Sequence, residues 1–343
     1  MEQKFSLTFG QEPSSYIDRH QAANQIVSDF TLDYPLSHIY IISGVRGSGK
    51  TVLLTKVSND IKSKKDWIVV DVNPNREILS QVAAGLYESP SVKMLFLSSS
   101  FSISFKSFGF TIEGKEPVSN IKTVLEKMLN VVKKHNKKVL ITIDEVSNNS
   151  FMRSFAHDFQ SLLRENYPVF TLMTGLNENV NSIQNNKNLT FLYRSPKIDL
   201  KPLDLKLVEK EYKKVFADAD EKVIHELTAL TKGYAFAYQV IGLLFAKYNC
   251  IDKIYKELDD YLAIYIYDKI WEYLPENEKN FMRCFINETT TNNEIIKKTG
   301  FSIKEYSVYR DRLIKKGLFI KTAQGEMSLV LPRFNLYIQN RAL

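Results

Sequence analysis

Between residues 38 and 200, apolar runs alternate with helical periods. His38-Ile39-Tyr40-Ile41-Ile42-Ser43 is a short, nearly continuous apolar run, the pattern of a parallel strand covered on both faces. After a glycine-rich turn, Val52, Leu53, Leu54, Val57 and Ile61 recur at helical spacing. Residues 67–72 predict a second buried strand and residues 78–86 a second helix. Ile121, Val124, Leu125, Met128, Leu129 and Val132 mark a longer helix that closes on Lys133-Lys134-His135-Asn136-Lys137-Lys138, where cations suit the negative end of the helix dipole. Residues 139–143, 169–173 and 197–200 predict three more strands, with a helix over 151–164 between the first two. Strands alternating with helices imply a parallel, three-layer α/β sheet. One segment breaks the rhythm: from Leu97 to Ile112, Phe101, Ile103 and Phe105 alternate with Ser102, Ser104 and Lys106, which predicts an inserted β-hairpin. Residues 177–188, rich in asparagine, read as a polar surface helix and loop.

From Pro202 the pattern turns almost purely helical, with apolar stripes over 204–216, 219–231, 234–248 and 251–271, as expected of a helical lid. After Leu274-Pro275 come two short helices, a longer one from Ser302 to Lys316, and two short apolar stretches around a Gln324-Gly325 turn. Three helices followed by a hairpin is the order of a winged helix-turn-helix. The expected division is therefore an α/β domain over 1–201, a lid over 202–274 and a winged helix over 275–343.

Composition narrows the class. With 44% hydrophobic and 25% charged residues in 343, disorder as the main state is excluded. Cys250 and Cys284 stand far apart, so neither a disulfide framework nor a zinc ribbon is available. The five histidines lie singly, without the i,i+3 or i,i+4 pairs of a helical metal site. The first residues lack a basic start followed by an apolar run, and no apolar stretch reaches the roughly 18 residues of a membrane span. The expectation is a cytoplasmic protein. The net charge of +7 is uneven: residues 275–343 hold 12 Lys+Arg against 7 Asp+Glu, and residues 1–274 hold 34 against 32. The excess sits in the segment expected to meet an anionic partner.

Gly44-Val45-Arg46-Gly47-Ser48-Gly49-Lys50-Thr51 fits G-x-x-x-x-G-K-[ST] between an apolar strand and an apolar-periodic helix, the context this motif requires. The glycines let backbone N–H groups converge on phosphates, and the helix N-terminus adds positive potential. Lys50 is expected to reach the β- and γ-phosphates, and the Thr51 hydroxyl to ligate Mg²⁺. About 90 residues further on, an apolar strand ends in Asp144-Glu145. Asp144 is placed to hold Mg²⁺ through water, and Glu145 to polarise the attacking water as general base. The competing reading leaves Glu145 as a solvated loop acid. Thr174, at the end of the fourth strand, is a candidate for orienting water against the γ-phosphate; its alternative is a cap on the following helix.

Together, Gly44 to Thr51, Ile143-Asp144-Glu145-Val146, Thr174-Gly175-Leu176, Tyr193-Arg194-Ser195 and Lys201-Pro202-Leu203 resemble the AAA+-type P-loop ATPases with a C-terminal winged helix. Within them the chain is similar to the branch of archaeal and bacterial AAA ATPases, STAND ATPases and archaeal origin-recognition initiators. The resemblance implies ATP/ADP and Mg²⁺ as cofactors, and slow hydrolysis that drives a conformational or assembly switch. It implies that Pro13, Tyr16, Ile17, Asp18 and Arg19 line the adenine, that Gly233 and Tyr234 are nucleotide contacts of the lid, and that Arg194 reaches a γ-phosphate, usually in a neighbouring subunit. A surface ion pair is the other reading of Arg194. Where relatives open a lid helix with G-x-P or carry an arginine sensor, this chain has Gly233-Tyr234-Ala235 and no arginine. On the longer C-terminal helix, Lys304, Ser307, Arg310 and Lys315, with Lys321 of the hairpin, are the candidate duplex-DNA contacts. Glu305 and Asp311 argue against DNA, and protein docking or self-association is the alternative for this module.

Overall fold

The computed structural model describes residues 4–8, 10, 13–17, 19–98, 120–186, 189–322 and 325–342. The expected hairpin over 97–112 falls, from residue 99 onward, outside them, as do Asp18 and Gln324. By their internal contacts the residues group into two units. One comprises Arg19–Ser43 and Lys50–Asp199, the other Met1–Asp18, Gly44–Gly49 and Leu200–Leu343.

The first unit is the expected α/β sheet. In chain order it contains α1 (His20–Thr31), β1 (Ile39–Ser43), α2 (Lys50–Lys62), β2 (Trp67–Val72), α3 (Ile78–Glu88), α4 (Pro90–Ser98), α5 (Ile121–Lys134), β3 (Lys138–Ile143), α6 (Ser150–Arg164), β4 (Val169–Gly175), α7 (Asn177–Gln184), α8 (Thr190–Tyr193) and β5 (Lys197–Asp199). The strands pair in the order β2-β3-β4-β1-β5, and every pairing is parallel. Strand side chains alternate between two buried faces. Ile39, Ile41, Val70, Ile141 and Met173 join the apolar side chains of α3, α5 and α6. On the opposite parity, Tyr40 and Phe170 pack on Phe30 of α1 with ring centroids 5.4 and 5.2 Å away. Burial on both sides explains why β1 and β4 read as nearly continuous apolar runs. Because β1, β3 and β4 run in parallel and in register, their C-terminal ends meet at one edge, where Ser43 stands beside Gly175 and Ile143 beside Met173. In open parallel sheets ligands bind outside this edge.

The second unit contains α9 (Leu205–Val215), α10 (Glu221–Thr231), α11 (Ala235–Tyr248), α12 (Ile254–Leu262), α13 (Asp268–Tyr273), α14 (Glu276–Met282), β6 (Thr289–Thr291), α15 (Asn292–Thr299), α16 (Ile303–Lys315), β7 (Phe319–Lys321), β8 (Glu326–Leu329) and α17 (Phe334–Ala342). One apolar core runs from Val208, Tyr212 and Tyr238 through Leu262 and Trp271 to Phe281, Phe319 and Phe334. The N-terminal segment contributes Phe5, whose ring lies 5.9 Å from Tyr212 and 5.6 Å from Tyr238. The expected single helix over 251–271 is interrupted by a π-helical turn at Ala263–Tyr267. A trace of it is in the sequence. Ile254, Leu258, Leu262 and Ile266 are spaced by four, and each such step overshoots a 3.6-residue period by about 40°. The wider turn brings Ile266, Tyr267 and Trp271 back to the buried side, where they are 4%, 1% and 8% exposed.

After α14, the strand β6 pairs antiparallel with β8, which pairs antiparallel with β7, giving the order β6-β8-β7. Two capping boxes start the helices between them, Thr291 with Glu294 on α15 and Ser302 with Glu305 on α16. Arg333 clamps Asp259 of α12 through two bonds of 2.5 and 2.6 Å, and the Tyr267 hydroxyl donates to the Pro332 carbonyl.

Candidate active site

At the C-terminal edge of the sheet, Asp144 is the hub. Its Oδ2 accepts from the Thr51 hydroxyl at 2.9 Å, and its Oδ1 accepts from the Thr174 hydroxyl. Thr51 is the second residue of α2, so the helix start that follows the phosphate loop delivers this hydroxyl directly to the end of β3. The two hard oxygens of Thr51 and Asp144 are the donor set that Mg²⁺ accepts while keeping most of its waters. They fit the ion. Among the described residues no cluster of three His, Cys, Asp or Glu offers another metal site.

Glu145 follows in the left-handed region at φ 56°, with an exposed side chain. Its backbone N–H donates at 3.1 Å to both the Asp144 Oδ1 and the Thr174 Oγ1. Val146 N–H then donates to the Thr174 carbonyl at 2.8 Å, which ties the turn to β4. A non-glycine residue in this conformation costs about 1–3 kcal/mol and persists only where its surroundings hold it. Here the two strand ends hold it, and the carboxylate is left facing solvent. Thr174 is fully buried, and α7 begins at Asn177 without any side-chain cap. The capping alternative for Thr174 is thereby removed, because its hydroxyl serves the acidic turn.

The phosphate loop leads from β1 into α2. Gly47 and Gly49 have φ of 74° and 91°, conformations that side-chain-bearing residues rarely adopt. Ser48 is buried, and Lys50 is 9% exposed as the first residue of α2. Within the second unit the loop meets the start of α11. The Tyr234 hydroxyl donates to the Arg46 carbonyl at 2.5 Å, and the Phe236 N–H donates to the Gly47 carbonyl at 3.1 Å. A β-carbon on Gly47 would stand 2.2 Å from the Tyr234 oxygen and 3.0 Å from Ile266 Cδ1. Sequence reasoning named Tyr234 for the lid but missed Phe236 and Ile266. The four-residue spacing before Ile266 is the signal that points to the latter.

Arg194 closes α8 and precedes β5, whose first residue pairs with Ile41 in the middle of β1. Ile17 is buried in the lid core, and the neighbouring Ser15 carbonyl accepts from Tyr238 and Gln239, each at 3.1 Å. Arg19 precedes α1 as its N-cap. Gly233, at φ 71°, allows the chain to approach Leu203, whose N–H donates to its carbonyl at 2.7 Å. Lys304, Lys315 and Lys321 are exposed, and Ser307 is half-buried. Arg310 is engaged by Asp311 at 2.8 Å and lies over the Tyr306 ring. Glu305 serves the cap of α16, where hydrogen bonds from Ser302 lower its carboxyl below the ordinary range.

Residues 16–167 match a family profile described as an ATPase domain predominantly from Archaea. Residues 16–167 thus carry the ATPase domain that this profile describes, and the phosphate loop, the acidic turn and strands β1, β2 and β3 fall within the match. Residues 265–338 match a domain of unknown function (DUF8462). Among solved structures, the chain is similar to the Walker-type ATPase paby2304 of Pyrococcus abyssi, with TM-score 0.67 and 14% identity over 98% of this chain and 99% of that one. It is also similar to the ORC2 protein of Aeropyrum pernix in its ADPNP-ADP complexes, with TM-score 0.61 and 14% identity over 97% and 96%. A third likeness is to Cdc6p of Pyrobaculum aerophilum, with TM-score 0.50, 13% identity and coverage of 97% and 96%. At these identities the likeness concerns the fold. No curated protein matches the chain by sequence, and among the described residues no helix is long and apolar enough to cross a membrane.

Proposed function

We propose that the ATPase domain binds ATP·Mg²⁺ on Gly44–Thr51, hydrolyses it with Glu145 as general base, and uses the cycle to reset the lid and a C-terminal winged helix that acts on DNA or a DNA-bound partner. Backbone N–H groups of the loop and the Lys50 ammonium bind the phosphate chain. Thr51 and Asp144 hold Mg²⁺, which neutralises charge developing on the phosphate oxygens. Glu145 takes a proton from water as the water oxygen attacks the γ-phosphorus, the bond to the ADP oxygen breaks, and ADP and phosphate leave. Thr174 keeps Asp144 and the Glu145 backbone in place, and orients the water. Arg194 serves a γ-phosphate in a neighbouring copy, and Tyr16, Ile17 and Arg19 border the adenine.

The observation that carries the switch is the π-helical turn. Ile266 packs toward Gly47 of the phosphate loop, and the next residue, Tyr267, is bonded to Pro332 beside the three-stranded module. A change in the loop is thus two adjacent side chains away from the module. Lys50→Ala is expected to weaken ATP and ADP binding by about 10–100-fold, the usual worth of a charge-assisted contact to phosphate. Titration with a fluorescent nucleotide checks it, and unchanged affinity removes the cradle.

For the module, duplex-DNA binding is expected to fall steeply with salt and to weaken when Lys304, Arg310 and Lys321 are changed to Ala. Absence of binding at low salt favours a second reading, in which the module is a protein-docking switch and hydrolysis is incidental. Ile303, Val308 and Ile320 support that reading, since they are 76%, 40% and 56% exposed on the same module.

A further inference from the structure

Three consecutive residues at the start of α11 meet the phosphate loop. Tyr234 gives its hydroxyl to the Arg46 carbonyl, Phe236 gives its N–H to the Gly47 carbonyl, and the Ala235 Cβ lies 3.8 Å from where a β-carbon on Gly49 would stand. The geometry has a directional consequence. A trans peptide points its C=O and N–H to opposite sides. With the Arg46 carbonyl drawn onto Tyr234, the Gly47 N–H of the same peptide is turned away from the lid helix. Phe236 belongs to the first turn of α11, where N–H groups have no intrahelical acceptor, so its bond to the loop uses a donor the helix leaves over.

The fit is mutual and tight. Tyr234 is 5% exposed and makes no side-chain cap on its own helix. Burial drives its phenol well above the ordinary tyrosine range, against a smaller opposing effect of Arg46, so the hydroxyl remains a neutral donor. Gly47 is the residue that permits the approach, by its positive φ and by its missing β-carbon.

We infer that Tyr234 is a positioning residue for phosphate binding: its hydroxyl fixes the Arg46–Gly47 peptide, and the Phe236 N–H fixes the Gly47–Ser48 peptide that follows, so that the Gly47 N–H is presented to the phosphate chain. This rests on the reading of residues 44–51 as the ATP cradle. In this chain the lid then acts on phosphate through the loop backbone, where an arginine side chain is absent.

The test is Tyr234→Phe in the full chain, which keeps the ring and removes the donor. Its dissociation constants for ADP and for inorganic pyrophosphate, the latter measured by competition, are expected to rise together by about tenfold. KM for ATP is expected to rise while kcat at saturation changes less than about twofold, a split that general loss of structure does not produce. Unchanged ADP affinity overturns the inference, and so does weaker ADP binding with pyrophosphate unchanged, since the hydroxyl then serves the nucleoside end. Phe236→Pro, read against Phe236→Leu, which likewise loses the ring 6.0 Å from Tyr265 but keeps the donor, is the second arm, because proline is tolerated in a first helical turn and removes the other backbone donor. It is expected to give the same paired loss, and an unaltered pair of affinities counts against the inference even if Tyr234→Phe does not fold. Lys50→Ala separates the two levels: if it binds ADP as the wild type does, the cradle itself fails, whatever Tyr234 shows.

Discussion

Glu145→Gln is expected to lower phosphate release by about 10²–10⁴-fold while ATP and ADP still bind. The substitution keeps the size of the side chain and removes its ability to take a proton. The backbone at residue 145 is held by bonds from its own N–H to Asp144 and Thr174, and none of these involves the carboxylate. The left-handed turn should therefore survive, with Thr51 and Asp144 still placed for Mg²⁺. Single-turnover phosphate release and nucleotide titration on the same preparation separate the two effects. Unchanged release means that the proton goes elsewhere and that Glu145 is a solvated loop acid after all. A parallel loss of binding means that the carboxylate supports the loop rather than the water.

The candidate site at the sheet edge was legible because its determinants are local. Gly44 to Thr51 and Ile143-Asp144-Glu145 are contiguous segments, and parallel strands buried on both faces have an apolar signature that needs no partner to be seen. The contacts that organise them were not legible. Tyr234 and Arg46 are 188 positions apart, and no local pattern announces that a phenol donates to a loop carbonyl. Thr174 looked equally suited to capping, and only the uncapped start of α7 at Asn177 and the reach to Asp144 show where its hydroxyl goes. In the C-terminal module, β6 was missed for a different reason. Thr289-Thr290-Thr291 is too short to show alternation, and its partner β8 lies beyond α15, α16 and β7. The acids on α16 were visible, but their use was not: Glu305 serves a cap and Asp311 holds Arg310, so neither acts as an isolated charge facing a partner.

The second large effect is expected in stability, from Phe281→Ala. Phe281 is fully buried on α14, and its ring stacks on Phe319 of β7 at 5.6 Å and 8°, on Tyr306 of α16 at 5.6 Å and 17°, and beside Phe285 at 6.5 Å. Three elements therefore share one side chain, and none can collapse into the space it leaves without drawing away from the other two. A deletion of this kind costs about 3–5 kcal/mol. The same apolar core continues through Leu274 and Trp271 to the lid helices, and Arg333 and Tyr267 cross-link the two ends. The loss should thus be felt by the lid as well, as one calorimetric transition displaced downward by about 10 °C. If the main transition stays in place and a small early one separates from it, the module has a core of its own. In that event the path from Ile266 and Tyr267 to Pro332 is too weak to carry a nucleotide-driven change, and the module responds to its partner independently of ATP.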